Sequence, residues 1–340
     1  MKKVLCFAAA AMAIFASCQK TEVVYSNDGP QEIALFAVNK TATKAPVTST
    51  AYPGENTMYV AAYLASSDIG ASQTTSGDYF NGTSFEKPTD GQYWTGGKYW
   101  PVTNSKLNFL AVSGHASAPI STVTFGEDNK DYAKKAVVVL ADNSSAQHDL
   151  MYAAALGVHT VSNNDNELVN MTFKHALSWI NFKVAGTEDV ITVNRITLNN
   201  ASYAGTLTLD NSENYQKSAA YTTAPRASWS DVASGKNVAV IADAIDCTSS
   251  SQVFGSNGLL VIPGNATTFT INYTIKHGGT SNTFDYTYTC TGIWEMGKKY
   301  TYSVNITPAL IQINPYVQNW NADLNDDSNN TNDDISVPLA

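Results

Sequence analysis

The chain has 340 residues, of which 44% are hydrophobic and only 14% are charged. Its formal net charge is −9, and its Lys and Arg residues form no clustered stripe, which argues against a nucleic acid partner. The length exceeds what one hydrophobic core normally serves, so two domains are expected. Abundant Thr, Ser, Asn, Tyr and Val favour β-strands joined by turns.

The first 18 residues, MKKVLCFAAAAMAIFASC, have the pattern of a lipoprotein signal peptide. Two lysines precede an apolar run that is too short to span a hydrocarbon core of about 30 Å as a helix. Small residues then lead directly into Cys18. We expect residues 1–17 to be removed and Cys18 to be acylated, which attaches the mature chain to a membrane. The alternative is ordinary secretion with cleavage after Ala13.

Residues 18–30 are polar and predict a tether between the anchor and the first strand. An alternating strand follows at Gln31–Val38. Short apolar runs separated by turn residues then favour a β-sandwich, although Asp149–Leu156 could also form a helical turn. These runs are Met58–Leu64, Tyr79–Phe85, Lys106–Val112, Ala136–Leu140 and Met151–Val158.

Polar residues 162–167 predict a connection between two domains. The clearest alternation of apolar residues lies just after it, at Val169–Phe173 and Ile180–Val184. Further strand candidates continue to residue 307 and indicate a second all-β unit. The predicted organisation is an N-terminal β-sandwich at residues 31–163, a C-terminal β-sandwich at 164–320 and a tail at 321–340.

Cys247 and Cys290 are the cysteines that remain once Cys6 leaves with the signal and Cys18 is acylated. In an oxidising compartment they either form a disulfide or stay as two separate buried thiols. No Cys or His spacing in the sequence matches a zinc site, so no metal is predicted.

No catalytic motif is apparent, because the five histidines are scattered and none has a Ser or Cys partner in a nucleophile motif. His175 lies in a predicted strand, where a structural hydrogen bond is the simpler role. Asp and Asn alternate from Asp323 as in a calcium loop, but Ser328 replaces the required glycine and no helices flank the segment. We predict neither a cofactor nor an enzyme activity.

An ordered set of segments extends over nearly the whole chain. The segments are Tyr93-Trp94, Tyr99-Trp100-Pro101, Leu107–Ala111, Asp149–Ala153, Phe173–Phe182, Leu259–Pro263, Trp294–Tyr302 and Trp320. Together they resemble the fimbrillin family of surface lipoproteins, the pilins and pilin-like adhesins of Bacteroidales. The resemblance implies two β-sandwich domains of transthyretin-like topology in tandem. It also implies an outer-membrane surface location, other fimbrial subunits as partners, and a host or bacterial surface ligand.

In that family a protease trims the lipoprotein beyond its first strand, and a donor strand from another subunit enters the groove so opened. The family cut typically follows an arginine in a Thr-Arg-Ala-like sequence. The corresponding stretch here is Thr43-Lys44-Ala45. Lys44, or Lys40, is therefore the predicted processing site if a lysine-tolerant protease acts; otherwise the subunit is not processed in this way.

The sequence ends in Ile335-Ser336-Val337-Pro338-Leu339, whose three apolar residues project to one face of an extended segment. We expect Ile335, Val337 and Leu339 to form the donor strand, with Pro338 at an edge or near the strand's end because it lacks an N–H. The alternative is a tail that packs on its own second domain or remains disordered.

Four aromatic residues leave a second function open. Tyr93, Trp94, Tyr99 and Trp100 could stack on sugar rings, in which case the chain is a surface glycan-binding lipoprotein that does not polymerise. Packing around a turn at Gly96-Gly97 is the simpler role for these rings.

Overall fold

The computed structural model describes residues 31–39, 57–65, 78–101, 106–113, 133–158, 168–186, 191–210, 226–256 and 258–320. Within these ranges the chain is all-β, which confirms the predicted fold class, and its one helical element is a 3₁₀ turn, η1 (Ser144–Ala146). No helix in the described ranges is long and apolar enough to cross a membrane.

Eight strands precede residue 176. They are β1 (Glu32–Asn39), β2 (Met58–Ala65), β3 (Asp78–Phe85), β4 (Trp94–Tyr99), β5 (Lys106–Ser113), β6 (Ala133–Val139), β7 (Met151–Val158) and β8 (Val169–His175). The alternative of a helical turn at Asp149–Leu156 is wrong, because β7 occupies most of it.

Gly96 and Gly97 lie within strand β4 rather than forming the predicted turn. A Cβ at Gly96 would lie 2.7 Å from the ring of Phe85, so glycine allows β4 to approach the end of β3. Gly97 has a φ of +64°, which side chains rarely adopt. The two glycines therefore shape an irregular strand.

The strands after residue 177 form the rest of the molecule. They are β9 (Ser178–Gly186), β10 (Ile191–Ala201), β11 (Ala204–Asp210), β12 (Arg226–Ala233), β13 (Lys236–Val240), β14 (Ile245–Asp246), β15 (Gln252–Val253), β16 (Leu259–Val261), β17 (Gly264–Asn265), β18 (Thr268–His277), β19 (Thr280–Thr289), β20 (Ile293–Trp294), β21 (Lys298–Ile306) and β22 (Ile311–Asn319).

Seven strands form the N-terminal sheet, in the order β3-β2-β5-β7-β8-β1-β4. All neighbours are antiparallel except β1 and β8, which are parallel. The two outer strands meet where Glu86, just after β3, bridges Thr95 of β4 through two backbone hydrogen bonds of 2.9 and 3.0 Å. The sheet thus curls around one apolar core.

Two five-stranded sheets form the C-terminal sandwich. One has the order β13-β10-β18-β19, with β14 also on β10; the other has the order β15-β9-β21-β22, with β16 also on β9. Alternate residues of both sheets enter a shared core, in which the rings of Phe182 and Phe269 lie 5.0 Å apart and that of Tyr302 lies 5.2 Å from Phe269.

A third sheet, β12-β11-β6, joins strands from the two halves of the sequence. Its apolar side chains share a core with the outward residues of β2, β5 and β7, such as Leu110 against Val138 and Leu207. Strand β8, which follows the predicted connection at 162–167, pairs in the N-terminal sheet. Thus β8, which follows residue 163, pairs with β1 and β7, and β6, which precedes it, pairs with β11. The exact domain limits stay a prediction.

The segment before β7 docks on the C-terminal sandwich through polar contacts. Gln147 is buried, and its amide donates to the carbonyls of Ala141 (3.0 Å) and Leu260 (2.9 Å) while accepting from the N–H of Leu260 (2.7 Å). Nearby, the Ser144 hydroxyl accepts from the N–H of Ile241 at 2.8 Å. These bonds satisfy buried backbone groups and fix the two halves against each other.

The end of β22 is held at the same junction. The backbone N–H of Trp320 donates to the carbonyl of Gly297 at 2.9 Å, and the Trp320 ring stacks on His175 with centroids 4.0 Å apart. His175 Nδ1 lies 2.7 Å from a carboxylate oxygen of Asp149, and both side chains are buried. The structural role expected for His175 is confirmed.

Cys247 and Cys290 do not form the disulfide that was one of the two alternatives; both are free and buried. The N–H of Cys247 donates to Ile191 at the start of β10, and that of Cys290 donates to Thr267 just before β18. Because β10 and β18 are antiparallel, these positions lie at opposite strand ends, roughly 25 Å apart at about 3.3 Å per residue. A disulfide needs Cα atoms within about 7 Å. Burial raises the pKa of each thiol to about 11.

Replacing Gln147 tests the junction. Gln147→Leu keeps the approximate volume but leaves the N–H and C=O of Leu260 without their partner, so the free energy of unfolding should fall by about 2 to 4 kcal/mol. Urea denaturation measures this change. Gln312→Leu, at an exposed position on β22, is the matched control and should change stability by less than about 0.5 kcal/mol. Equal stability of the two variants would contradict the proposed role of Gln147.

Candidate assembly site

Strand β1 is an interior strand of the N-terminal sheet although it is the first strand described. On one side it pairs in parallel with β8, from Leu35 opposite Val169 to Asn39 opposite Phe173. On the other side it is antiparallel to β4, where Leu35 faces Trp94. Its first half, Glu32 to Leu35, is therefore paired with β4, and its second half, Leu35 to Asn39, is paired with β8.

The inward face of β1 fills the middle of the core. Ile33 and Leu35 are fully buried and Ala37 is 5% exposed, whereas Phe36 on the opposite face is 37% exposed. Burial of one such aliphatic side chain contributes about 1.5 to 3 kcal/mol. The strand thus contributes three buried side chains to the core of the N-terminal sheet.

Aromatic rings belong to the same core as the buried face of β1. Trp100 lies edge-on to Phe109 at 5.9 Å, and Phe80 stacks on Phe85 at 5.9 Å and lies 6.4 Å from Phe109. Trp94 belongs to the same cluster. Removal of β1 would therefore uncover an apolar core that contains several aromatic rings.

The four aromatic residues considered for sugar binding do not form one exposed platform. Trp94 and Trp100 are 3% and 7% exposed and belong to the core, so the packing role is confirmed for them. Tyr99 is 46% exposed, and Tyr93 lies edge-on to Phe36 at 6.4 Å. The rings thus face different sides of the sheet.

Polar contacts hold the beginning of β1. The N–H of Gly97 donates to a carboxylate oxygen of Glu32 at 2.8 Å, and the N–H of Trp100 donates to the carbonyl of Gln31 at 2.8 Å. At the other end, the strand finishes at Asn39, which Lys40 follows directly in the sequence.

The remaining predicted site residues lie outside the described residues. They are Cys18, Lys40 and Lys44 near the N-terminus and Ile335, Val337 and Leu339 near the C-terminus. In the described part of the chain, no group of three or more His, Cys, Asp or Glu side chains could hold a metal ion.

Sequence reasoning missed the partners of β1. The alternation in Val169–Phe173 predicts β8 itself, but nothing in the sequence shows that this strand lies beside β1 and parallel to it. It also missed β4, whose glycines resemble a turn. The surroundings of β1 therefore become known only from the fold.

Known proteins share this architecture. A model of the family described as fimbrillin-like matches residues 26–320. A fimbrial protein from Bacteroides vulgatus has a similar fold, with a TM-score of 0.56, 16% sequence identity, and coverage of 84% of this chain and 99% of that chain. A putative cell adhesion protein from Bacteroides ovatus gives 0.51, 13%, 86% and 98%.

A comparison with curated proteins finds no match. The likeness to the two solved structures shows a shared fold at low sequence identity. The family match covers most of the chain, from before β1 to the end of β22. The chain belongs to the fimbrillin-like family.

Proposed function

We propose that this protein is a structural subunit of a cell-surface fimbria, or a pilin-like adhesin, that assembles by strand exchange after N-terminal processing. The observation that carries the proposal is β1, a buried interior strand that lies next to the N-terminus and is followed directly by lysines. The fimbrillin-like family supports the same function. We propose no enzyme activity and no cofactor.

Cleavage after Lys40 or Lys44 would detach β1 from the rest of the chain. Its departure would uncover the facing edges of β8 and β4 and the apolar core beneath them. Unpaired strand edges and exposed apolar surface are both unfavourable in water. A strand from another subunit that restores the hydrogen bonds and fills the pockets would therefore bind tightly.

The C-terminal tail is the proposed donor. Its Ile335, Val337 and Leu339 alternate as Ile33, Leu35 and Ala37 do in β1. Residues 321–334, between Trp320 and this segment, can span at most about 50 Å at 3.3 to 3.6 Å per residue. That reach is sufficient to extend from one subunit into an adjacent one.

Export as a lipoprotein would place the subunit at its site of assembly. Acylated Cys18 would hold the chain at the outer membrane. Cleavage after Lys40 or Lys44 would separate the rest of the subunit from both the lipid anchor and β1. One proteolytic step would thus both free the subunit and open its groove. Partners in this scheme are other fimbrial subunits, the outer membrane, and a surface ligand of a host or bacterial cell.

Blocking the cleavage tests the function as a whole. The double variant Lys40→Gln/Lys44→Gln, expressed in the native bacterium, should keep β1 and should give no ladder of polymers on unheated SDS gels, because the groove stays filled. N-terminal sequencing of the surface-extracted protein should find no start after residue 40 or 44. Lys276→Gln, at an exposed position in the β18–β19 hairpin, is the control and should leave ladders intact. A trimmed double variant with normal ladders would contradict the proposal.

Truncation tests the donor role separately. Deletion of residues 334–340 should leave a folded, exported and trimmed subunit that has no donor strand to place in a neighbour's groove. Ladders of polymers on unheated SDS gels should therefore be lost. The thermal transition of the unprocessed protein should stay unchanged. Ladders of normal length from the truncated protein would show that the donor lies elsewhere in the chain.

The lipid anchor is tested at Cys18. Cys18→Ala removes the thiol that would be acylated, so the uncleaved or secreted product should no longer fractionate with outer membranes. Cys247→Ala is the matched control, because that thiol is buried in the C-terminal sandwich and its loss should not alter fractionation. Full membrane association of Cys18→Ala would exclude the anchor.

A further inference from the structure

Strand β19 is a long, open edge of the C-terminal sandwich. It pairs with β18 over an uninterrupted register from Thr268 opposite Thr289 to His277 opposite Thr280, and the described residues include no strand on its other side. Most of its residues are exposed. Such an edge is a ready template for another strand.

Four other edges of the described sheets carry features that hinder pairing. β22 contains Pro315, which has no N–H to donate, and β12 contains Asp231 with a φ of +52°. The outer strands of the N-terminal sheet meet each other through Glu86 and Thr95. β19 has no proline, lysine or register shift. The edge of β19 therefore lacks the protecting features that these other edges have.

The hairpin geometry determines which backbone groups of β19 are free. Gly278 and Gly279 both have positive φ, as in a two-residue type I′ turn, so the closing pair His277 and Thr280 is hydrogen-bonded. Hydrogen-bonded and non-hydrogen-bonded pairs alternate along the ladder. Ser281, Thr283, Asp285 and Thr287 consequently direct their N–H and C=O groups to the open edge.

Side chains on the outer face form hydrogen-bonded rows that end at this edge. In one row, Asn194 donates to Thr274 at 2.9 Å, and Thr274 lies 3.0 Å from the hydroxyl of Thr283. With Thr274 donating to Thr283, the Thr283 hydroxyl keeps its own hydrogen to donate. In the next row, Asn272 donates to the carboxylate of Asp285 at 2.7 Å. One row thus ends in a donor and the adjacent row ends in an acceptor.

We propose that β19 pairs with β19 of a second copy of this chain, antiparallel about a two-fold axis at Phe284. In this register Thr283 faces Asp285 of the second copy, and by symmetry the contact occurs twice, so each donor row meets an acceptor row. Phe284, which is 46% exposed, meets its own counterpart at a non-hydrogen-bonded pair, where side chains are closest. A shift that moves the axis to Asp285 would instead place Asp285 against Asp285, which is repulsive, and a shift that moves it to Thr283 would separate both Thr283–Asp285 contacts.

The second copy is favoured over an unrelated strand because the edge is complementary to itself. The free backbone groups of Ser281 and Thr283 would bond those of Thr287 and Asp285 in the other copy, which gives about eight hydrogen bonds without any gap. The contact does not involve β1, so it forms in the unprocessed chain and is independent of strand exchange.

Proline placed at an outward N–H tests the contact. Thr283→Pro removes a hydrogen-bond donor from the open edge but none from the β18 ladder, so the fold should be kept. Thr283→Ala is the matched control, because it loses the same hydroxyl and keeps the N–H. In sedimentation equilibrium of the unprocessed full chain, parent and Thr283→Ala should dimerise, whereas Thr283→Pro should associate at least about tenfold more weakly. A parent that stays monomeric up to about 1 mM, or a Thr283→Pro dimer as tight as the control, would overturn the proposal.

A disulfide trap tests the register without relying on the proline variant. Phe284→Cys should form a dimer linked through the introduced thiol on mild oxidation, because the two-fold axis brings this position against itself. Tyr286→Cys, at a position that faces Asn282 of the second copy in this register, should link far less. The parent chain controls for its own thiols, of which Cys247 and Cys290 are buried. Equal linking of the two variants, or none at Phe284→Cys, would exclude the proposed axis.

Discussion

The pairing of β1 with β8 is the constraint on which the N-terminal half of the molecule depends. It joins residue 35 to residue 169, so the first described strand closes a sheet built from the sequence between them. Ile33 and Leu35 then become fully buried beneath Trp94 and its neighbours. Because β1 lies at one end of this stretch and no described strand precedes it, its removal would leave the order of the other described strands along the chain unchanged.

The C-terminal sandwich contains a similar parallel pairing, but the strand concerned is held by the chain on both sides. Its first strand, β9, also pairs in parallel with a strand far along the sequence, β21, from Trp179 opposite Lys299 to Gly186 opposite Ile306. β9 is held on its other edge by β15 and β16, and the chain continues on both sides of it. Cleavage near β9 would therefore have to break the junction with the N-terminal sheet. The same parallel pairing thus involves the first described strand in one half and a strand in the interior of the chain in the other.

Much of the strand pattern could be predicted from local alternation, and little of the pairing could. Val169–Phe173 gives β8 because one face of that strand is buried. Ile180–Val184 gives β9 by the same alternation, although Trp179 and Asn181 on its other face are buried as well. β12 and β22 lack such a pattern, the latter because Pro315 and polar residues interrupt it. The pairing of β6 with β11 joins residues more than sixty apart, and its register depends on the core shared with β5 and β7.

The candidate site shows the same division. Burial of Leu35 follows from alternation, but the two edges that β1 covers do not, since both partners come from tertiary packing. The cysteine pair illustrates the limit in the other direction: composition and compartment allow a disulfide, yet the antiparallel run of β10 and β18 separates Cys247 from Cys290. Chemistry that depends only on residue type is readable from the sequence, whereas chemistry that depends on which strands are neighbours is not. The pairing of β1 with β4 and β8, on which the N-terminal sheet depends, belongs to the second kind.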